Sequence, residues 1–144
     1  MDADLSHDPN AIPGFLEKIK DYDAVFGSRY LNGVRVYNWS FKRLLLSKLS
    51  NDFIRIALRI PYTDTTTAFK CFRRTVLESI DLNSLKGRQN AFLIELVYHT
   101  IKQGFKTVEI PFMFIERATG ESKMEFKVSI ESLATVLRLI FLGK

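Results

Sequence analysis

The chain has one cysteine and two histidines in 144 residues, and it lacks long apolar runs. Cys71 has no second cysteine in the chain to pair with, which excludes a disulfide scaffold and a four-cysteine zinc site and favours a reducing compartment. No uninterrupted apolar stretch approaches the ~18 residues of a membrane-spanning helix, and the N-terminus lacks the basic-then-apolar form of a secretory signal. There are no internal repeats, low-complexity segments or interdomain linkers. Both a recognition-helix signature and an aromatic-plus-basic run are missing, so no nucleic acid is expected as a partner. His7 and His99 stand in no catalytic constellation.

What is present points to a folded chain with an affinity for anions. The 47% hydrophobic and 12% aromatic content suffices for one domain over 1–144 with a real core. The formal charge of +5 favours acidic lipids, phosphorylated substrates or other anionic partners.

Apolar periodicity alternates between the two kinds of element. Residues 6–23 read as a helix with Ser6 or Asp8 near its cap, prolines confined to the first turn, and Ile12, Phe15, Leu16 and Ile19 on the buried side. The run AVFGS reads as a buried strand. In the following long helix Phe41, Leu45, Leu49, Phe53 and Ile56 recur at helical spacing until Pro61 stops it. DTTTAFKCF reads as a strand or extended turn, RTVLESI as a short helix, NAFLIELVYHTIKQG as a helix ended by Gly104, and FKTVEIPFMFIE as strands interrupted by Pro111. The alternation implies α/β architecture. In the tail, 127–144, Lys127, Glu131, Thr135 and Arg138 form one narrow polar stripe on an amphipathic helix. Its wide apolar arc needs cover from core, a partner or a bilayer surface, with core packing the commoner outcome.

Two local patterns carry chemistry. On a strand, Asp2 and Asp4 would share a face and could converge on a hard cation; a frayed, solvated terminus is the plain alternative. On the long helix Arg43, Ser47 and Asn51 fall at i, i+4 and i+8 and share one face, which reads either as an ordinary polar stripe or as a phosphate site.

Taken in order, DADLSHDP, GSRY, NW followed by Arg43 and Ser47, DTTTAFKCFRR, IEL and GESKM resemble the polyprenyl-phosphate glycosyltransferases of the dolichol-phosphate mannosyltransferase type. These lie within the family-2 glycosyltransferases of the GT-A fold, and the resemblance covers nearly the whole chain. It implies inverting transfer of a hexose, mannose from GDP-mannose in the nearest relatives, to a polyprenyl or dolichyl phosphate. A same-family transferase using UDP-glucose and a non-catalytic fragment that docks on a membrane or partner are the alternatives. Asp2 and Asp4 would be the metal ligands for Mg²⁺ or Mn²⁺. Asp2, Asp4, Arg29, Arg117 and Lys123 would surround the donor diphosphate, with Asp4, Arg29 and Arg117 closest to the chemistry. Arg43, Ser47 and Lys123 would hold the acceptor phosphate, with Asn51 beside them; Asp64 and Glu95 read either as residues around the site or as structural capping and hydrogen-bonding groups. Ser6, Ala68 and Lys70 stand where the family pattern has Gln, Gly and Arg.

The chemistry suits this composition. A phosphate monoester, with a second pKa of ~6, is largely ionised at neutral pH and needs no strong base, so the absence of a catalytic histidine is consistent. Family members carry a nucleotide-binding half ahead of the acidic motif. The resemblance therefore implies a partial GT-A-type α/β fold, a C-terminal portion with exposed strand edges and apolar faces. It also implies an enzyme peripheral at the cytoplasmic face of a membrane.

Overall fold

The structure is a computed structural model that describes residues 1–116 and 126–142. Its centre is β1 (Ala24–Ser28), the AVFGS run, in which all five residues are buried. A short strand buried along its whole length must be covered on both faces. It pairs in parallel with β4 (Thr107–Pro111) and antiparallel with β3 (Lys70–Phe72), giving the order β3-β1-β4. A two-residue parallel pair, β2 (Val36–Tyr37) with β5 (Phe114–Ile115), forms a second small sheet.

Alternation along β1 assigns its side chains to two cores. Ala24 and Phe26 point into the larger one, with Ile54 and Leu58 of α2 (Phe41–Leu58), Ile94 and Val97 of α4 (Asn90–Lys102), and Val136 and Leu139 of α5 (Phe126–Leu142). Val25 points the other way, to Phe15 of α1 (Ile12–Lys18), Phe69 and Phe112. A short helix, α3 (Arg74–Ser79), packs Val76 against Ile80 and Leu96 in a third cluster. Each large apolar side chain so buried contributes roughly 1.5–3 kcal/mol. Gly27 closes the gap between layers: a Cβ there would lie 2.8 Å from the Phe69 carbonyl oxygen and 3.0 Å from both the Phe15 and the Phe112 ring. Only glycine permits that approach, which gives the first residue of GSRY a packing reason.

The mixed α/β expectation is met, and this assembly of helices on a small mixed sheet is consistent with part of a GT-A-type fold. Most element limits follow local signals. Asp8 accepts from the Asn10 amide and caps a short 3₁₀ turn ahead of α1. The Ser40 hydroxyl accepts from the Arg43 amide at the start of α2, and Gly104 follows α4 at φ +81°.

The helix faces differ from the pattern in the sequence. Along α2 the apolar stripe is turned outward: Phe41 is 77% and Ile56 72% exposed, and Leu45, Leu49 and Phe53 are exposed as well. The buried side is Ser47, Asn51, Ile54 and Leu58. In α5 the expected polar stripe faces inward. Thr135 is buried, Arg138 pairs with Glu95 and Glu131 accepts from the Arg88 amide, whereas Ile130, Leu133, Leu137, Ile140 and Phe141 are exposed. Leu16 of α1, expected inside, is exposed too. The physical reason is that Ser47, Asn51, Glu131 and Arg138 each meet a hydrogen-bond or ion-pair partner from a distant segment, which offsets the cost of turning them inward.

Candidate active site

A cleft of about 1070 Å³ opens where the N-terminal loop, the residue after β1, α2, the 64–68 loop, the start of α4, β5 and α5 meet. Asp2, Asp4, Arg29, Arg43 and Ser47 all line it. Five positions singled out from the sequence, spread over nearly fifty residues, thus share one cavity. Arg117 and Lys123, named with them, lie outside the described residues.

The acidic loop is not a strand but a bend, with Leu5 at φ +63°. Its shape comes from side chains. Asp4 Oδ1 accepts from the Ser6 amide at 3.1 Å and from the Ser6 hydroxyl at 2.5 Å, so serine at this position orients the carboxylate. The Asp2 amide donates to His7 Nδ1 at 3.0 Å. The His7 ring is stacked on Phe69 at 4.9 Å and meets the edges of Phe112 and Phe114, while Ile115 donates its amide to the Ser6 carbonyl. Burial lowers the His7 pKa, which favours the neutral ring that this acceptor role requires.

A buried polar network forms the floor. Arg29 donates through Nε and Nη2 to the two oxygens of Asp64 at 2.7 and 2.8 Å, and its backbone amide adds a third bond at 3.1 Å. Burial opposes both charges, but the guanidinium outweighs it and holds the Asp64 carboxyl below the usual carboxylate range. Thr66 accepts from Arg29 and from Asn51, whose amide oxygen in turn accepts from the Thr65 amide. Asn51, with its amide committed at both ends, holds the 64–68 loop to α2. Ser47 accepts from the Tyr30 hydroxyl at 2.7 Å, leaving its own proton to donate toward the cleft.

Lys70 belongs to this floor. Its ammonium donates to the Thr65 carbonyl at 3.3 Å and to the Thr67 carbonyl, and burial pushes its pKa down to about 8, against the attraction of Asp64. Between pH ~8 and ~10 the unfolded chain, with an ordinary lysine pKa, still holds a proton that the folded chain has shed. Stability is therefore expected to rise with pH across that window. Urea midpoints at pH 8 and pH 10 check it: the rise should be present in the wild-type chain and absent in Lys70→Met.

Two lining groups, Trp39 and Glu116, carried no role in the sequence. The Trp39 ring sits 4.1 Å from the Arg43 guanidinium and 5.3 Å from that of Arg29. Glu116 forms an ion pair with Arg43 across 73 residues of sequence, a separation at which no local pattern would connect them. Glu95 is buried, and its carboxylate accepts from the amides of Lys86 and Gly87 and pairs with Arg138. It fastens the loop before α4, which carries Arg88 and Gln89 at the cleft, to α5. Leu49 and Phe53 of α2, Phe92 and Leu93 of α4, and Leu133 and Val136 of α5 form an apolar stretch of the wall, with Ser50, Thr67, Asn90 and Ser132 among them.

As a metal site, the acidic loop offers two hard carboxylates and no more. Among the described residues no group of three His, Cys, Asp or Glu side chains could hold an ion. That fits Mg²⁺ or Mn²⁺ of the kind held by one or two carboxylates and completed by water and substrate phosphates, and it does not fit a closed structural site.

The sequence matches the profile described as "Glycosyl transferase family 2" over residues 1–81. It is 35% identical to an undecaprenyl-phosphate mannosyltransferase of Micrococcus luteus, over 96% of this chain and 57% of that protein. A polyprenol monophosphomannose synthase of Mycolicibacterium smegmatis is 41% identical, over 86% of this chain and 47% of its own length. A dolichol-phosphate mannosyltransferase of Pyrococcus furiosus is also 41% identical, over 97% of this chain and 39% of its own length. The chain spans about half the length of these curated relatives.

Proposed function

Because this chain belongs to glycosyl transferase family 2, we propose that its cleft serves the transfer of a hexose, mannose from GDP-mannose, to a polyprenyl phosphate. The observation that carries this reading is the meeting of Asp2 and Asp4 with Arg29, Arg43 and Ser47 in a cavity that also has an apolar stretch of wall, Leu49, Phe53, Phe92, Leu93, Leu133 and Val136. An acceptor with a charged phosphate and a hydrocarbon tail needs both parts of such a wall. The names of the relatives support the same acceptor class.

In this reading Arg43 and the Ser47 hydroxyl bind and orient the acceptor phosphate. Asp64 and Thr66 take Nε and Nη2 of Arg29, leaving Nη1 for an anion. Asp2 and Asp4 would hold a divalent cation, which when bound supplies Lewis-acid neutralisation of the departing nucleoside diphosphate. A phosphate oxygen attacks the anomeric carbon as the bond from that carbon to the diphosphate oxygen breaks, with inversion. The acceptor's ionised oxygen brings its own electron pair, so no side chain has to remove a proton. Arg117 and Lys123 are assigned to the diphosphate and acceptor phosphate on the family resemblance.

The outward stripes of α2 and α5 fit a peripheral position on a bilayer, on the cytoplasmic side. Lys42, Arg55 and Arg59 are exposed along with the apolar residues of α2, a combination suited to an anionic lipid surface. Among the described residues no helix is long and apolar enough to cross a membrane. The test uses vesicles containing decaprenyl phosphate, radiolabelled GDP-mannose and Mn²⁺. Label is expected to enter the organic-extractable lipid, and to stop doing so with chelator. Sedimentation with vesicles irrespective of metal, without transfer, would instead make the chain a membrane-docking module.

A further inference from the structure

Arg29 and Arg43 of the cleft each have a carboxylate ion-pair partner, and the pairs are built differently. Arg29 engages Asp64 through two guanidinium nitrogens, with side-chain exposures of 9% and 0%. Arg43 reaches Glu116 through Nη1 alone, with exposures of 22% and 18%. Its Nε is buried without a hydrogen-bond partner among the described residues. A fork with its donors engaged is a fixed part of the fold, whereas a single-pronged and partly exposed pair yields to a stronger acceptor. Arg43 also has a support independent of Glu116, the face of Trp39. Glu116 is anchored by its backbone amide to the Tyr37 carbonyl, so its side chain can turn aside without moving β5.

We propose that Glu116 is an internal counter-ion of the acceptor site, which holds Arg43 until a phosphate monoester dianion displaces it and takes Arg43 back when that phosphate becomes a diester. This rests on the reading of Arg43 as an acceptor-phosphate residue. The charge change of the reaction supplies the reason. The acceptor carries nearly two negative charges at neutral pH, and its glycosylated product, a phosphodiester, carries one. Against a carboxylate of one charge the dianion prevails and the monoanion has no advantage. Glu116 thereby distinguishes acceptor from product at a position that need not touch the sugar.

Calorimetric titration of the chain with geranyl phosphate, a monoester, and geranyl methyl phosphate, a diester, tests this. The wild-type chain is expected to prefer the monoester by about tenfold or more. In Glu116→Gln the diester should tighten about three- to tenfold and the preference should fall to about twofold. Glu116→Asp, which retains the charge, should keep most of the preference, separating charge from packing. Binding in Glu116→Gln should also become more salt-sensitive, because no internal anion then screens Arg43. If Arg43→Gln abolishes monoester binding but Glu116→Gln leaves the monoester-to-diester ratio unchanged, the counter-ion role is refuted and the acceptor reading stands. If Arg43→Gln binds like wild type, or neither wild type nor Glu116→Gln binds, the acceptor reading of Arg43 fails and the counter-ion role falls with it.

Discussion

Replacing Asp64 by asparagine is expected to destabilise the chain by about 3 to 5 kcal/mol, the cost of leaving a buried charge without its partner. Asp64 is 1% exposed, and its carboxylate receives three bonds from Arg29. Asparagine keeps the shape but can offer neither the charge nor the second acceptor oxygen for the guanidinium fork. With total stability in the usual range of about 5 to 15 kcal/mol, such a loss brings many domains close to unfolding at 37 °C. Urea titration followed by far-UV circular dichroism measures it, and a loss below about 1 kcal/mol would contradict a buried Arg29. Removing both charges with Arg29→Met in the Asp64→Asn background should recover part of the loss, because the orphaned guanidinium is then gone. The acid limb gives a second readout. The Arg29 guanidinium holds the Asp64 pKa below the ordinary carboxylate range, so its contribution is present above that range and lost as pH falls through the folded-state value. Asp64→Asn should lack that component of the acid transition.

The second large effect is expected at the acidic loop. Asp4→Asn should reduce Mn²⁺-dependent binding of GDP-mannose by at least about a hundredfold, since it removes one of the two carboxylates that the acidic loop offers to the ion. Asparagine retains an oxygen to accept from the Ser6 amide and hydroxyl, so the bend that Asp4 now forms is preserved and the loss reports charge. Asp4→Ala should lose binding as well, together with that bend. Isothermal titration with metal and with chelator, using GDP-mannose and UDP-glucose in parallel, also separates the two donor readings. Donor binding indifferent to chelator and to Asp4→Asn would remove the metal role from the acidic pair. Absence of binding by the folded wild-type chain would leave only the acceptor side of the site here.

The residues that give this chain its family resemblance behave unequally in three dimensions. Gly27 of GSRY is fixed by packing, Arg29 by Asp64, and Asn51 by the 64–68 loop. These positions build the floor of the cleft, and a motif reading grouped Arg29 with the reacting groups without indicating that it is bound to Asp64. Arg43 and Ser47 keep hydrogen-bonding capacity toward the cavity and retain the roles the resemblance implied as a proposal. Glu95, left open between a site and a structural role, ties a loop of the cleft wall to α5. Trp39 and Glu116 carried no role in the sequence, because what gives them one is contact with Arg43.

The sequence by itself determined the kind and approximate place of most elements and that AVFGS is a buried strand. Glycine after a helix and short apolar runs act through the nearest few residues, so AVFGS and the end of α4 before Gly104 were legible without a fold. The tertiary structure alone decided which way the helices face and which charges meet. Periodicity shows that α2 and α5 each have an apolar side, but not what lies against it. Here Ser47, Asn51 and Thr135 are turned inward beside Ile54, Leu58, Val136 and Leu139, while Phe41, Leu45, Leu49, Phe53 and Ile56 of α2 and Ile130, Leu133, Leu137, Ile140 and Phe141 of α5 face outward. Arg29 finds Asp64 across 35 residues and Arg43 finds Glu116 across 73. Burying a polar group is tolerable only where a partner waits, and the partners come from segments that only the folded chain brings together.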